Sequence, residues 1–131
     1  MDIDTATVKQ LAERYGLSLV VLFGSQATGK THARSDTDLG FLSERPKSLR
    51  ETSEMQLAFE ETLKLPRLDF VDLRGKPPLF LKHVALDATV LYEKEDSIFA
   101  RFKIYALKLY FEAKPLYQIR DAALRRFAEV V

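Results

Sequence analysis

The chain has 131 residues, 47% of them hydrophobic and 30% charged, with 20 Lys or Arg against 19 Asp or Glu. That length makes one ordinary domain, and the balance is globular rather than disordered or collagen-like. A net charge of +1 gives no strong nucleic-acid signal, because a duplex binder needs a broad basic field. Cysteine is absent, which excludes disulfides, thiolate zinc sites and a cysteine nucleophile and suits a cytoplasmic location. No apolar run approaches the roughly 20 residues of a membrane span, and the acidic start Met1-Asp2-Ile3-Asp4 lacks the basic region of a signal peptide. No membrane partner is expected.

In chain order, Val8, Leu11, Ala12 and Tyr15 recur at helical spacing, with Asp4 or Thr5 as cap and Gly16 as stop. Leu17 to Phe23 is a short apolar run that reads as a buried strand. Gly24 to Ser35, rich in Gly, Ser and Thr, reads as a turn or very short helix. Asp36 to Leu42 alternates and reads as a second strand. Ser48-x-x-Glu51 is a capping box opening a helix to about Leu65, ended by Pro66. Leu68 to Leu73 is a third strand. Pro77-Pro78 opens a short helix ending near Leu86, and Thr89 to Tyr92 is a fourth strand. From Asp96 the pattern is helical, with Pro115 expected to kink or split it. The order predicts an α/β or α+β fold with a small mixed sheet covered by helices. The expected organisation is one domain over 1–131, with a core over 1–95 and a helical tail over 96–131.

Two motifs overlap after the first strand. Gly24-Ser-Gln-Ala-Thr-Gly29-Lys30-Thr31 fits the P-loop pattern letter for letter. A P-loop needs a substantial helix behind it and a crossover to a parallel strand. Only Thr31 to Ser35 separate Lys30 from the next strand, so that reading is rejected. The other motif is Gly24-Ser25, ten intervening residues, then Asp36-x-Asp38. Residues two apart on a strand share a face, so Asp36 and Asp38 present paired carboxylates. Such a pair repels unless a cation sits between. Hard oxygen donors of this kind suit Mg²⁺, which also takes phosphate oxygens. Gly24 lets backbone approach a phosphate, and Ser25 can add its amide and hydroxyl. Lys30 and Arg34 lie beside this turn, where they can contact a phosphate. In the third strand, Asp69 interrupts an apolar run and is chosen as the third carboxylate, with Asp72 in reserve. Its expected role is to help hold the metal and to take a proton from an attacking hydroxyl.

These residues resemble the minimal nucleotidyltransferase family, within the DNA polymerase beta-like superfamily. Phe23-Gly-Ser-Gln-Ala-Thr-Gly29 and Ser35-Asp-Thr-Asp-Leu39 are similar to its GSxAxG…SDxDL signature, and Leu68 to Leu73 resembles its later acidic strand. Pro77-Pro78-Leu79 and Val90-Leu-Tyr-Glu93 resemble its continuation. The resemblance implies a nucleotidyltransferase fold and Mg²⁺-dependent transfer of a nucleoside monophosphate. Asp36 and Asp38 would bind two metal ions and Asp69 one, with Gly24 and Ser25 on the triphosphate. Members of this size are often MntA-type antitoxins paired with HEPN ribonuclease toxins. They are understood to transfer AMP from ATP to a toxin tyrosine.

An EF-hand counted from Asp36 fails, because Phe41 and Lys47 stand where Gly and Glu are required. His32 and His83 are read as surface or packing residues rather than ligands. The tail aromatics Phe99, Phe102, Tyr105, Tyr110, Phe111 and Tyr117 are packing residues on more than one helical face, which leaves surface for a partner chain or a second copy. The rival functions are a small-molecule nucleotidyltransferase, such as one acting on an aminoglycoside, and an antitoxin acting by binding alone.

Overall fold

The computed structural model describes residues 3–24 and 37–130. Helix α1 spans Thr5–Tyr15. Its N-cap Asp4 accepts from the Ala6 N–H, and Gly16 closes it in the left-handed conformation at φ 68°. Strand β1 follows at Leu17–Phe23 and β2 lies at Thr37–Ser43. Helix α2, Leu49–Leu63, opens on the full Ser48/Glu51 capping box. It closes on Lys64 in a left-handed cap, before Pro66 is reached. Strand β3 is Leu68–Asp72, helix α3 is Pro78–Asp87, β4 is Thr89–Glu93 and α4 is Ile98–Val130.

The strands form one sheet in the order β3-β2-β1-β4. β1 runs antiparallel to both β2 and β4, while β2 and β3 are parallel. The antiparallel β1–β2 pair removes the P-loop reading on topology, because that loop feeds a crossover to a parallel strand. The parallel pair needs a crossover, and α2 lies within it.

Strand alternation divides the core between the two faces. Val20, Leu22, Leu39, Phe41 and Phe70 face α1 and α2, where they meet Val8, Leu11, Met55 and Phe59. The Phe70 ring stacks on Phe41 at 4.6 Å and tilts against Phe59 at 4.7 Å. Leu19, Val21 and Phe23 face α3 and α4, against Leu81, Val84, Phe102 and Ala106. Gly40 belongs to this second face, and a Cβ there would come within 2.9 Å of Leu73 Cδ2. Leu73 therefore occupies the space that a larger residue in β2 would need.

The tail departs from expectation. α4 continues as one helix through Pro115 rather than splitting there. Proline forfeits its own N–H bond, but the flanking turns are tied to α3. The Leu79 N–H donates to the Tyr117 hydroxyl at 3.3 Å, Tyr117 stacks on Tyr110, and the Lys82 ammonium sits 4.1 Å from the Tyr110 ring. Beyond Tyr117 the described residues of α4 are all exposed.

Candidate active site

The site lies at one end of the sheet, where the strand register sets three positions in a row. Phe23 at the end of β1 pairs with Asp38 in β2, and Asp38 pairs with Asp69 in β3. Directly paired residues share a face, and neighbouring strands lie about 4.8 Å apart. The Asp38 and Asp69 carboxylates therefore stand side by side, on the face that carries α3 and α4. Asp38 is half-buried and Asp69 exposed. Phe23, packed edge-on against Phe80 at 5.7 Å, supplies an apolar wall beside them.

Gly24 follows β1 at φ 76°, in the left-handed region that favours glycine. A Cβ on Gly24 would lie 3.2 Å from Asp38 Cγ and would overlap one of the carboxylate oxygens. The backbone of this turn thus lies directly against the Asp38 carboxylate. Both requirements, the positive φ and the close approach, demand glycine at this position.

Register also separates the two acids of β3. Asp69 is level with Asp38, whereas Asp72 is level with Phe41 on the opposite face. The Asp72 Oδ1 accepts from the Arg74 N–H at 2.9 Å, which shapes the turn after the strand. Asp69, not Asp72, is the acid placed with Asp38. The remaining sequence-chosen residues, Ser25, Lys30, Arg34 and Asp36, lie outside the described residues, as does His32. His83 is exposed on α3.

Asp38 and Asp69 suit a hard divalent cation. Both are oxygen donors, they stand on adjacent in-register strands, and two carboxylates this close repel without a positive charge between them. Among the described residues no group of three His, Cys, Asp or Glu forms a metal cluster.

A feature the sequence did not single out adjoins this pair. An open cavity of about 470 Å³ runs along β3 beside Asp69, lined in part by Lys47, Leu49, Thr52 and Lys76. These residues carry no recognisable motif; only the fold brings them to one strand edge.

Comparison with known proteins extends the picture. Residues 6–97 match the family described as Polymerase beta, Nucleotidyltransferase. The chain is 30% identical over 122 residues to the protein adenylyltransferase MntA of Aphanizomenon flos-aquae (strain 2012/KM1/D3), covering 86% of this chain and 81% of that protein. A toxin-antitoxin crystal structure with AMP-PNP superposes with a TM-score of 0.79 at 21% identity, covering 93% of this chain and 99% of the other. A complex of tri-AMPylated Shewanella oneidensis HEPN toxin with MNT antitoxin gives 0.72 at 19% identity, covering 92% and 95%. At those identities the two structures establish likeness of fold. No helix among the described residues is long and apolar enough to cross a membrane. The family match over most of the chain, with the near full-length MntA likeness, assigns it: the chain belongs to the Polymerase beta nucleotidyltransferase family, among its minimal members, and is a nucleotidyl-transferring enzyme.

Proposed function

We propose that this protein is a cytoplasmic antitoxin that transfers AMP from ATP to a tyrosine hydroxyl of a HEPN toxin, and silences the toxin by doing so. The observation that carries the reading is the register of Asp38 with Asp69 beside Gly24, in a chain 30% identical to a protein adenylyltransferase. The solved relatives of the same fold supply the partner class and the nucleotide: one contains AMP-PNP and another an AMPylated HEPN toxin.

The reaction is an in-line displacement. The acceptor oxygen forms a bond to the α-phosphorus of ATP, the bond from that phosphorus to the α–β bridging oxygen breaks, and pyrophosphate leaves with its electron pair. Asp69, which is exposed, takes the hydroxyl proton. A tyrosine hydroxyl has an ordinary pKa of about 10, so it needs such a base at neutral pH. Gly24 brings backbone close to the phosphates, with Ser25 beside it. Lys30 and Arg34 hold the charge of the leaving pyrophosphate. Asp36, Asp38 and Asp69 are the residues that would hold two Mg²⁺ ions, which when bound supply Lewis-acid neutralisation of phosphate charge.

Co-expression with a HEPN toxin, followed by intact-mass measurement of the toxin, tests this reading. The toxin should gain the mass of one or more AMP units with the wild-type chain and none with Asp38→Asn. An unmodified toxin that is nonetheless bound and inhibited would leave binding alone as the mechanism.

A further inference from the structure

A second cavity lies on the same face of the sheet as Asp38 and Asp69, but toward the opposite end of the strands. It measures about 350 Å³ and opens to solvent. Leu42 and Leu73 form its sheet side, and Ile98 and Phe102 its α4 side. Asp38 and Leu42 stand four residues apart in β2, which in a strand is about 13 Å along one face. The cavity is therefore separate from the paired acids. On α4, Ile98, Arg101, Phe102 and Tyr105 recur at helical spacing and share one face. Phe102 sinks into the core below, while Tyr105 is 56% exposed at the rim.

The charge of this cavity has one sign. Arg74 and Arg101 line it, and no acid is among the described residues that do. Arg74 Nη2 donates to the Ser43 carbonyl at 2.8 Å. That bond orients the guanidinium, leaves its charge unneutralised and uses only one of its several donors. The Arg101 side chain makes no hydrogen bond or ion pair with another described residue. Acids next to the lining residues are engaged elsewhere. Asp72 lies on the other face of β3 and accepts from the Arg74 N–H, and Glu44 is paired with Lys94. Glu95 and Asp96 precede α4 and stand outside the lining. Apolar walls with a few convergent polar groups, at a volume above about 300 Å³, are the build of a small-molecule site. Guanidinium groups select a carboxylate there. The apolar walls disfavour a polyphosphate, whose oxygens they would leave without partners.

We propose that this cavity binds a small organic acid. Its apolar or aromatic body lies between Leu42, Leu73, Ile98 and Phe102, and its carboxylate meets Arg74 and Arg101. The site is additional to the one that carries Asp38 and Asp69, and it stands whether or not the chain modifies a protein.

The test titrates naphthylacetate and its neutral amide, naphthylacetamide, into the full chain, with calorimetry for affinity and heteronuclear NMR for location. The acid should bind about tenfold tighter than the amide and shift the backbone amides of Leu73, Gly75 and Ile98. Arg101→Glu changes an exposed side chain, and a circular-dichroism melt confirms that the variant folds. It should weaken the acid by about tenfold or more and the amide by less than about twofold. Arg101→Lys, which keeps the charge, should bind the acid better than Arg101→Glu does. Equal affinity for acid and amide, or an Arg101→Glu variant that binds the acid as wild type does, overturns the proposal. So does a failure of both compounds to bind at millimolar concentration. Shifts confined to α4 beyond Tyr117 would mean that the probe only coats the exposed apolar end of that helix, and would overturn it as well. Displacement of the acid by ATP with Mg²⁺ would assign the cavity to the nucleotide and refute a separate site; acid binding unchanged by saturating ATP supports one.

Discussion

Gly24 and Asp38 are fitted to each other: a Cβ on the glycine would overlap the Asp38 carboxylate. Gly24→Ala would set a side chain at φ 76° and push it into the Asp38 carboxylate. The left-handed conformation alone costs about 1–2 kcal/mol for a residue with a Cβ, so the variant should melt earlier and lose transfer together. Asp38→Asn keeps the shape and removes the charge. It should cut transfer by about a hundredfold or more while leaving the fold intact. Transfer kinetics beside a thermal melt separates the two cases. Asp69→Asn should impair transfer more than Asp72→Asn; equal or reversed losses would mean that Asp72 carries the acid role. The apolar run around Asp69 favours it in the sequence and leaves Asp72 in reserve; only register with β2 sets Asp69 level with Asp38, and register is a tertiary fact. Gly24 and Asp38 stand out in the sequence because the spacing of their motif is local.

At the scale of elements, most boundaries follow from short-range chemistry. Asp4, Gly16 and the Ser48/Glu51 box sit where they cap or close their helices. Ser48→Ala should cost about 1 kcal/mol, readable in urea unfolding. The caps also make stability pH-dependent. The hydrogen bond from the Thr7 hydroxyl, then that from the Ala6 N–H, holds Asp4 below its usual 3.8. The bond from the Ser48 backbone does the same for Glu51 below its usual 4.5. A depressed folded-state pKa gives stability that is present above the usual value and lost as pH falls through the folded one. The melting temperature should therefore drop as pH falls below about 4.5, and less so in an Asp4→Asn/Glu51→Gln double variant. An identical acid profile in both proteins would assign the effect to other carboxylates. Gly40→Ala tests packing across the second face. The added methyl meets Leu73 at 2.9 Å, and overpacking of this sort costs about 1–3 kcal/mol.

Across the whole molecule, the sheet order and the tail were the least legible features. Hydrophobic alternation marks four strands but not that β3 sits at the edge beside β2, which is decided by crossover and packing. Pro115 argued for a break, yet α4 runs on, because Tyr110, Tyr117 and Lys82 hold its middle against α3. Past Tyr117 that support ends. Leu116, Ile119, Leu124, Phe127 and Val130 are exposed apolar residues on this helix. Deleting everything after Asp121 should leave the melting temperature within about 2–4 °C of wild type, since the described residues removed are all exposed. A larger loss would show that the end of α4 contributes to the fold of the isolated chain.

Nucleotidyl transfer to a protein, from the end of the sheet where Gly24, Asp38 and Asp69 meet, is the proposed activity. It is tested most directly by offering ATP labelled at either the α- or the γ-phosphate to the chain, with Mg²⁺ and a HEPN toxin. The toxin should carry the α-label, the γ-label should leave as pyrophosphate, and neither should occur with Asp38→Asn. Label on the toxin from γ-labelled ATP, or α-label transfer undiminished in Asp38→Asn, would contradict it.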